Sequence, residues 1–186
     1  FFTETFGNAA STGHAFGWAA LEALRSARKT VADAIGAGTK EIVFTSGATE
    51  SNNLAIRGVA ELPRRKGDHL ISVTTEHPSV LDPLERLRHG GYDVTLLPVI
   101  QAPHANAGRL LPEQVAEAIR DDTVLVSVML ANNEIGTIQP LAEIGRICKQ
   151  RKVLLHTDAT QAVGKIPVDV TQLDVDLMSF SAHKIH

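Results

Sequence analysis

Val124-Leu125-Val126-Ser127-Val128-Met129-Leu130 is an almost unbroken apolar run. Its length suits a strand, and its lack of alternation predicts a central strand covered on both faces, as in parallel α/β sheets. Pro112 opens a helix over residues 113–119 before it, and Pro140 precedes a helix over residues 141–150 after it. The same alternation extends in both directions. Upstream, β-type runs occupy residues 41–45, 70–75 and 92–99; downstream, they occupy 153–157 and 175–180. A helix over residues 17–36 carries Leu21, Leu24, Arg28, Val31 and Ile35 on one face and ends at Gly36 and Gly38. A second begins near Glu50 and is stopped by Pro63. A third has Asp82 and Pro83 in its first turn and ends at Gly90-Gly91. Residues 101–109 are polar and read as an exposed loop. The pattern predicts six strands joined mainly by helices, hence a mostly parallel open sheet flanked by helices, with right-handed crossovers. Such sheets bind ligands outside the carboxyl ends of their strands.

Composition narrows the function classes. The chain has 186 residues, 44% of them hydrophobic, and reads as one domain over residues 1–186. A net charge of −3 gives no electrostatic case for nucleic acid or an anionic membrane. No apolar run reaches about 18 residues, so no transmembrane helix is expected. Phe1-Phe2-Thr3-Glu4 lacks a basic segment followed by an apolar one, so no signal peptide is expected. The single cysteine, Cys148, cannot form an internal disulfide, and the expected compartment is the cytoplasm. Cys148 shares a helix face with Ile144 and Ile147, which marks it as a buried structural thiol. No His-x-x-x-His or Cys-x-x-Cys spacing occurs, so no metal site is expected. The absence of an initiator Met and the end just past Lys184 read as a fragment.

Five polar clusters follow predicted strands: Ser46-Gly47-Ala48-Thr49, Glu76-His77, Asn132-Asn133-Glu134, Asp158-Ala159-Thr160-Gln161 and Ser181-Ala182-His183-Lys184. Parallel strands would bring all five to one edge of the sheet. Each has an ordinary reading beside a chemical one. Ser46 or Thr49 either caps a helix or joins Gly47 and Ala48 in a phosphate cradle at a helix N-terminus. Asp158 is either a turn or cap residue or an acid facing a pyridine nitrogen. Gln161 and Asn133 are either solvated turn residues or donors to a phenolic oxygen or substrate. His77 is either a turn histidine before Pro78 or a ring-stacking proton carrier. Ser181 and His183 either close the strand end or bind phosphate. Lys184 is either a surface lysine or an amine nucleophile beside a buried strand. Together the chemical readings make a pyridoxal 5'-phosphate (PLP) site, where a lysine holds the aldehyde and an acid faces the ring nitrogen.

The ordered motifs resemble the cysteine desulfurases of the class V aminotransferase group, nearest the iron–sulfur-cluster branch. They are Phe6-Gly7-Asn8-Ala9-Ala10-Ser11, Phe44-Thr45-Ser46-Gly47-Ala48-Thr49-Glu50-Ser51-Asn52-Asn53-Leu54-Ala55-Ile56, Thr75-Glu76-His77, Asn132-Asn133-Glu134-Ile135-Gly136, residues 156–165 from His156-Thr157-Asp158 to Lys165, and Ser179-Phe180-Ser181-Ala182-His183-Lys184. The resemblance implies a PLP-dependent transferase of fold type I, with residues 1–186 forming the large-domain portion and the small domain absent. It implies Lys184 and His77 as catalytic residues. Ala48, Thr49, His77, Asn133, Asp158, Gln161, Ser181, His183 and Lys184 would hold the cofactor. The implied reaction converts L-cysteine to L-alanine and carries the sulfur as a persulfide to scaffold or thiolation acceptors, in a homodimer. The sulfur-accepting cysteine and the arginine that grips the substrate carboxylate fall beyond Lys184 in that family. Ala182 stands where the family commonly has glycine. A selenocysteine lyase, another class V aminotransferase or an inactive PLP-binding fragment would share the same PLP residues.

Overall fold

The structure, a computed structural model, describes residues 3, 6–62 and 67–185. They fall into two compact units, Phe1–Phe44 and Thr45–His186.

The first unit is built on α1, Ala15–Ile35. His14 Nδ1 accepts the N–H of Gly17 at its start, and Gly36 closes its end at φ 70°, donating to the carbonyl of Ala32. That left-handed cap is the reason for a glycine there. Of the predicted apolar face only Ile35 is buried, Leu21, Arg28 and Val31 are half-buried, and Leu24 is exposed; Ala32, outside that face, is buried too. The strand predicted over residues 41–45 does not form. A 3-10 turn, Thr39–Glu41, occupies its start, and Val43 and Phe44 remain exposed. A strand needs a neighbouring ladder to satisfy its backbone. Here the carbonyl of Ile42 instead accepts from the Arg28 guanidinium, which also lies 5.0 Å over the Phe44 ring.

The second unit runs α2 (Ala48–Ala60), β1 (His69–Val73), α3 (Pro78–His89), β2 (Asp93–Leu97), α4 (Pro112–Ala118), β3 (Thr123–Ser127), α5 (Leu141–Arg151), β4 (Leu154–Asp158), α6 (Val170–Leu173) and β5 (Leu177–Ser179), then a 3-10 turn, Ala182–Lys184. The strands form one sheet in the order β2-β1-β3-β4-β5, every pair parallel. The apolar run beginning at Val124 lies at the middle of the sheet, and all five residues of β3 are buried.

Three details differ from the sequence-based expectation. α3 begins at Pro78 rather than near Asp82, because His77 caps it by accepting the N–H of Ser79 and Pro78 supplies a first-turn φ. Pro83 therefore lies inside the helix. α2 begins at Ala48, so Thr49 belongs to its first turn. α6, which the sequence pattern does not predict, is nucleated by Asp169, whose carboxylate accepts from the backbone of Thr171 and Gln172. The expected helix stop at Pro63 lies outside the described residues.

Packing follows the two periodicities. Ile56 and Ala60 of α2, Leu70 of β1, Val80, Leu84 and Leu87 of α3, and Val124 and Leu125 of β3 form one buried cluster. Burial of each large member stabilises by roughly 1.5–3 kcal/mol. α5 packs on β4 and α4. Cys148 is buried there beside Ile144, as its spacing predicts, and burial pushes its thiol up to about 12. Two buried histidines pin strands together. His156 Nδ1 lies 2.8 Å from Ser127 Oγ and its Nε2 3.0 Å from Ser179 Oγ, joining β3, β4 and β5. His69 bridges Thr123 and Thr95 in the same way. Among the described residues no helix is long and apolar enough to cross a membrane.

Candidate active site

The strand order reverses between β1 and β3, which places a crevice at the carboxyl ends of those strands. A pocket of about 480 Å³ opens there. Ala48, Thr49, His77, Asn133, Asp158, Gln161, Ser181, His183 and Lys184 all line it. Residues scattered between Ala48 and Lys184 thus share one cavity. The expected convergence holds with one change: Ser46 to Thr49 enter from coil and the first turn of α2, whereas the other four clusters follow β1, β3, β4 and β5.

Local structure explains each placement. Asp158 is the last residue of β4 and is buried at the pocket's base. Its Oδ1 accepts the N–H of Thr160 at 2.9 Å and its Oδ2 accepts Asn52 Nδ2 at 2.7 Å. A donor on each oxygen fixes the carboxylate and leaves further acceptor capacity. His77 is the N-cap of α3. Its Nδ1 accepts the backbone N–H of Ser79 at 3.1 Å and lies 2.8 Å from Ser79 Oγ. Ser181 and His183 meet at 2.8 Å between Oγ and Nδ1, within the turn that ends at Lys184. Gln161 Oε1 accepts from Lys165 Nζ at 3.0 Å, which leaves its amide N–H groups as donors. Lys184 is half-buried on the wall.

The first turn of α2 leaves the N–H groups of Ala48, Thr49 and Glu50 without intrahelical carbonyls, as every helix start does. The N–H of Ser46 is already taken by Glu50 Oε2 at 2.5 Å, and the Ser46 hydroxyl, with this backbone bond, holds the Glu50 carboxyl below its usual range. A side chain added at Gly47 would meet no protein atom within 4 Å, so the loop faces open space.

Three further residues contribute that the motifs contain but to which the sequence reading gives no role. Asn52 is fully buried and touches Asp158 and Ser79. Glu76 is buried and does not line the pocket. Desolvation, with the neighbouring Asp158 charge, pushes its carboxyl up to about 8, although the Met129 N–H opposes the shift. Thr160 lines the pocket, and its buried Oγ1 has no protein partner. One signal was present for Asn52. It falls in register with Ile56 and Ala60, at successive steps of four along the buried stripe of α2. A polar residue in an apolar stripe needs a partner. Among the described residues no cluster of His, Cys, Asp and Glu could hold a metal.

Comparison with known proteins adds an independent line. The family described as aminotransferase class-V matches residues 1–186. A cysteine desulfurase IscS of Neisseria meningitidis serogroup A is 54% identical over 186 residues, covering 100% of this chain and 45% of the relative. A solved structure described as a NifS-like protein superposes with TM-score 0.93 at 40% identity, over 100% of this chain and 50% of that one. Another, described as SspA in complex with cysteine, gives TM-score 0.89 at 41% identity, over 98% of this chain and 51% of that one. The chain therefore spans about half the length of the proteins it matches.

Proposed function

The chain belongs to the aminotransferase class-V family, and from that premise we propose that the protein containing it is a PLP-dependent cysteine desulfurase. Its parallel sheet and flanking helices are those of fold-type I transferases. The observation that carries the proposal is the single pocket uniting an acid, a lysine, a proton-carrying histidine and a helix N-terminus. The cysteine bound in the SspA structure supports the choice of substrate. No observation favours a selenocysteine lyase, another class V aminotransferase or an inactive PLP-binding fragment.

The residues present fit PLP. The buried, unpartnered Thr160 Oγ1 calls for a polar group in the pocket. Gly47 leaves open room beside the unpaired first turn of α2. That anion-seeking end lines the same pocket as Ser181 and His183, while Asp158 offers a fixed carboxylate. When bound, PLP supplies an electron sink for bonds at the amino acid's α-carbon and beyond.

The chain's own residues have separate tasks. Residues 1–186 form the large-domain portion that binds the cofactor. The Lys184 amine holds the aldehyde. The N–H groups of Ala48 and Thr49, with Ser181 and His183, hold the phosphate. Asp158 keeps the pyridine nitrogen protonated. His77 would lie against the ring and could move protons through Nε2, because Nδ1 is committed to accepting from Ser79. Gln161 and Asn133 donate to the phenolic oxygen or the substrate. A cysteine thiolate would attack the sulfur of L-cysteine, so that the S–S bond of a persulfide forms as the C–S bond breaks; the electron pair stays with carbon, which takes a proton to give L-alanine, and the persulfide serves acceptor or scaffold proteins. Cys148 is not that thiol: it is buried in α5, and burial disfavours its thiolate. The working unit is a homodimer.

The complete protein, supplied with PLP, L-cysteine and a reductant, should release alanine and sulfide in equal amounts. Failure to do so with Lys184 intact would overturn the proposal.

A further inference from the structure

We propose that Asn52 is a positioning residue that couples Asp158 to His77 through Ser79, so that the acid and the ring-stacking histidine are held as one unit. The inference rests on the PLP reading of the pocket and adds a residue to which that reading gives no role.

Two side chains from different parts of the fold converge on one amide. Asn52, in α2, is fully buried. Its Nδ2 donates to Asp158 Oδ2 at 2.7 Å and to Ser79 Oγ at 2.9 Å. These partners lie at the end of β4 and in the first turn of α3. The two hydrogens of the amide nitrogen are thereby both used, one on each partner.

The direction of every bond in the chain is fixed by chemistry. A carboxylate only accepts, so the amide must turn its nitrogen, not its oxygen, toward Asp158. The same nitrogen then donates to Ser79 Oγ. With Oγ already accepting, the hydroxyl hydrogen of Ser79 is free to point at His77 Nδ1, 2.8 Å away. The backbone N–H of Ser79, which can only donate, reaches the same nitrogen at 3.1 Å. His77 Nδ1 is therefore an acceptor, and the ring proton resides on Nε2. Successive donors in one direction polarise each other, so the amide strengthens the hydroxyl's bond to the imidazole. Asn52 Oδ1 has no protein partner, a cost borne for the two bonds its nitrogen makes.

A double-mutant cycle in the complete protein tests the coupling. Asn52→Leu, which keeps bulk and removes the amide, should weaken PLP binding about tenfold or more, as expected for loss of a hydrogen bond to a charged group. In an Asp158→Ala background the same change should weaken it less than about twofold, because its partner is gone. Additive losses would show that Asn52 merely supports the fold and would overturn the proposal. A second measurement needs no cofactor. In the apo protein, ¹⁵N NMR should place the His77 proton on Nε2, and Asn52→Leu should move the Nδ1 resonance downfield as the Ser79 hydroxyl bond weakens. If Asn52→Leu does not fold, Asn52→Ser, which removes the amide nitrogen that bonds Asp158, is read in the same two ways. An unmoved Nδ1 resonance in a folded variant overturns the coupling, whereas failure of the unsubstituted protein to bind PLP overturns the proposed function and leaves the NMR test standing.

Discussion

Glu76 accepts the backbone N–H of Met129 at 2.5 Å, a bond that ties the loop after β1 to the chain leaving β3. Its other oxygen, Oε2, is buried with no protein partner. The carboxyl thus closes the floor where the strand order reverses, beside Asp158, at the expense of its own ionisation.

That expense predicts a pH profile for stability. Glu76 rises to about 8 in the fold, so the folded state holds a proton that the unfolded state has lost between roughly pH 4.5 and 8. Stability falls as pH rises through that window. His156 falls to about 4, so between about 4 and 6.5 the unfolded state holds the extra proton, and stability falls as pH drops. The two slopes oppose each other between about 4.5 and 6.5. Urea unfolding should therefore show a plateau there, with a loss of about 2 kcal/mol on the alkaline side and a smaller one on the acid side, at about 1.4 kcal/mol per pH unit. Glu76→Gln should flatten the alkaline limb, and His156→Gln should reduce the acid limb that His69, also pushed down by burial, shares. An alkaline limb unchanged in Glu76→Gln would refute the assignment.

Lys184→Ala should abolish the visible absorbance of bound PLP while far-ultraviolet circular dichroism stays unchanged. Reduction with borohydride followed by peptide mapping should find the cofactor on residue 184. A cofactor adduct at another lysine would reject the assignment.

Gly164 has φ 80°, and a Cβ there would lie 2.6 Å from Cγ2 of Ile185, the residue after Lys184. Gly164→Ala should cost more than about 1 kcal/mol, since both the backbone angle and the contact oppose it. The turn that carries Lys184 must shift, so PLP affinity should fall together with stability. An unchanged affinity would separate Gly164 from the site.

Cys148 should resist Ellman's reagent in the native protein at pH 8 and react at once in denaturant, because burial holds the thiol near 12. Rapid modification of the folded protein would contradict its burial.

Different parts of the fold were legible to different degrees. The β3 run and Cys148 beside Ile144 followed from periodicity alone, since burial on one stripe or both faces leaves a direct trace in residue type. Residues 41–45 carry an equally good β pattern and form no strand, because pairing depends on a neighbour that propensity does not supply. The start of α3 at Pro78 turned on a histidine side chain acting as a cap, a role more typical of Ser or Asp.

By itself the sequence determined the alternation of strands and helices, the apolar stripes and the set of polar clusters at strand ends, because these are encoded in local order and spacing. Only the tertiary structure decided that β1 and β3 are neighbours, that Asn52 meets Asp158 across 106 positions, and that Glu76 is driven toward neutrality. Hydrogen-bond partners and desolvation depend on what the rest of the chain brings alongside, and that information exists only once the sheet has assembled.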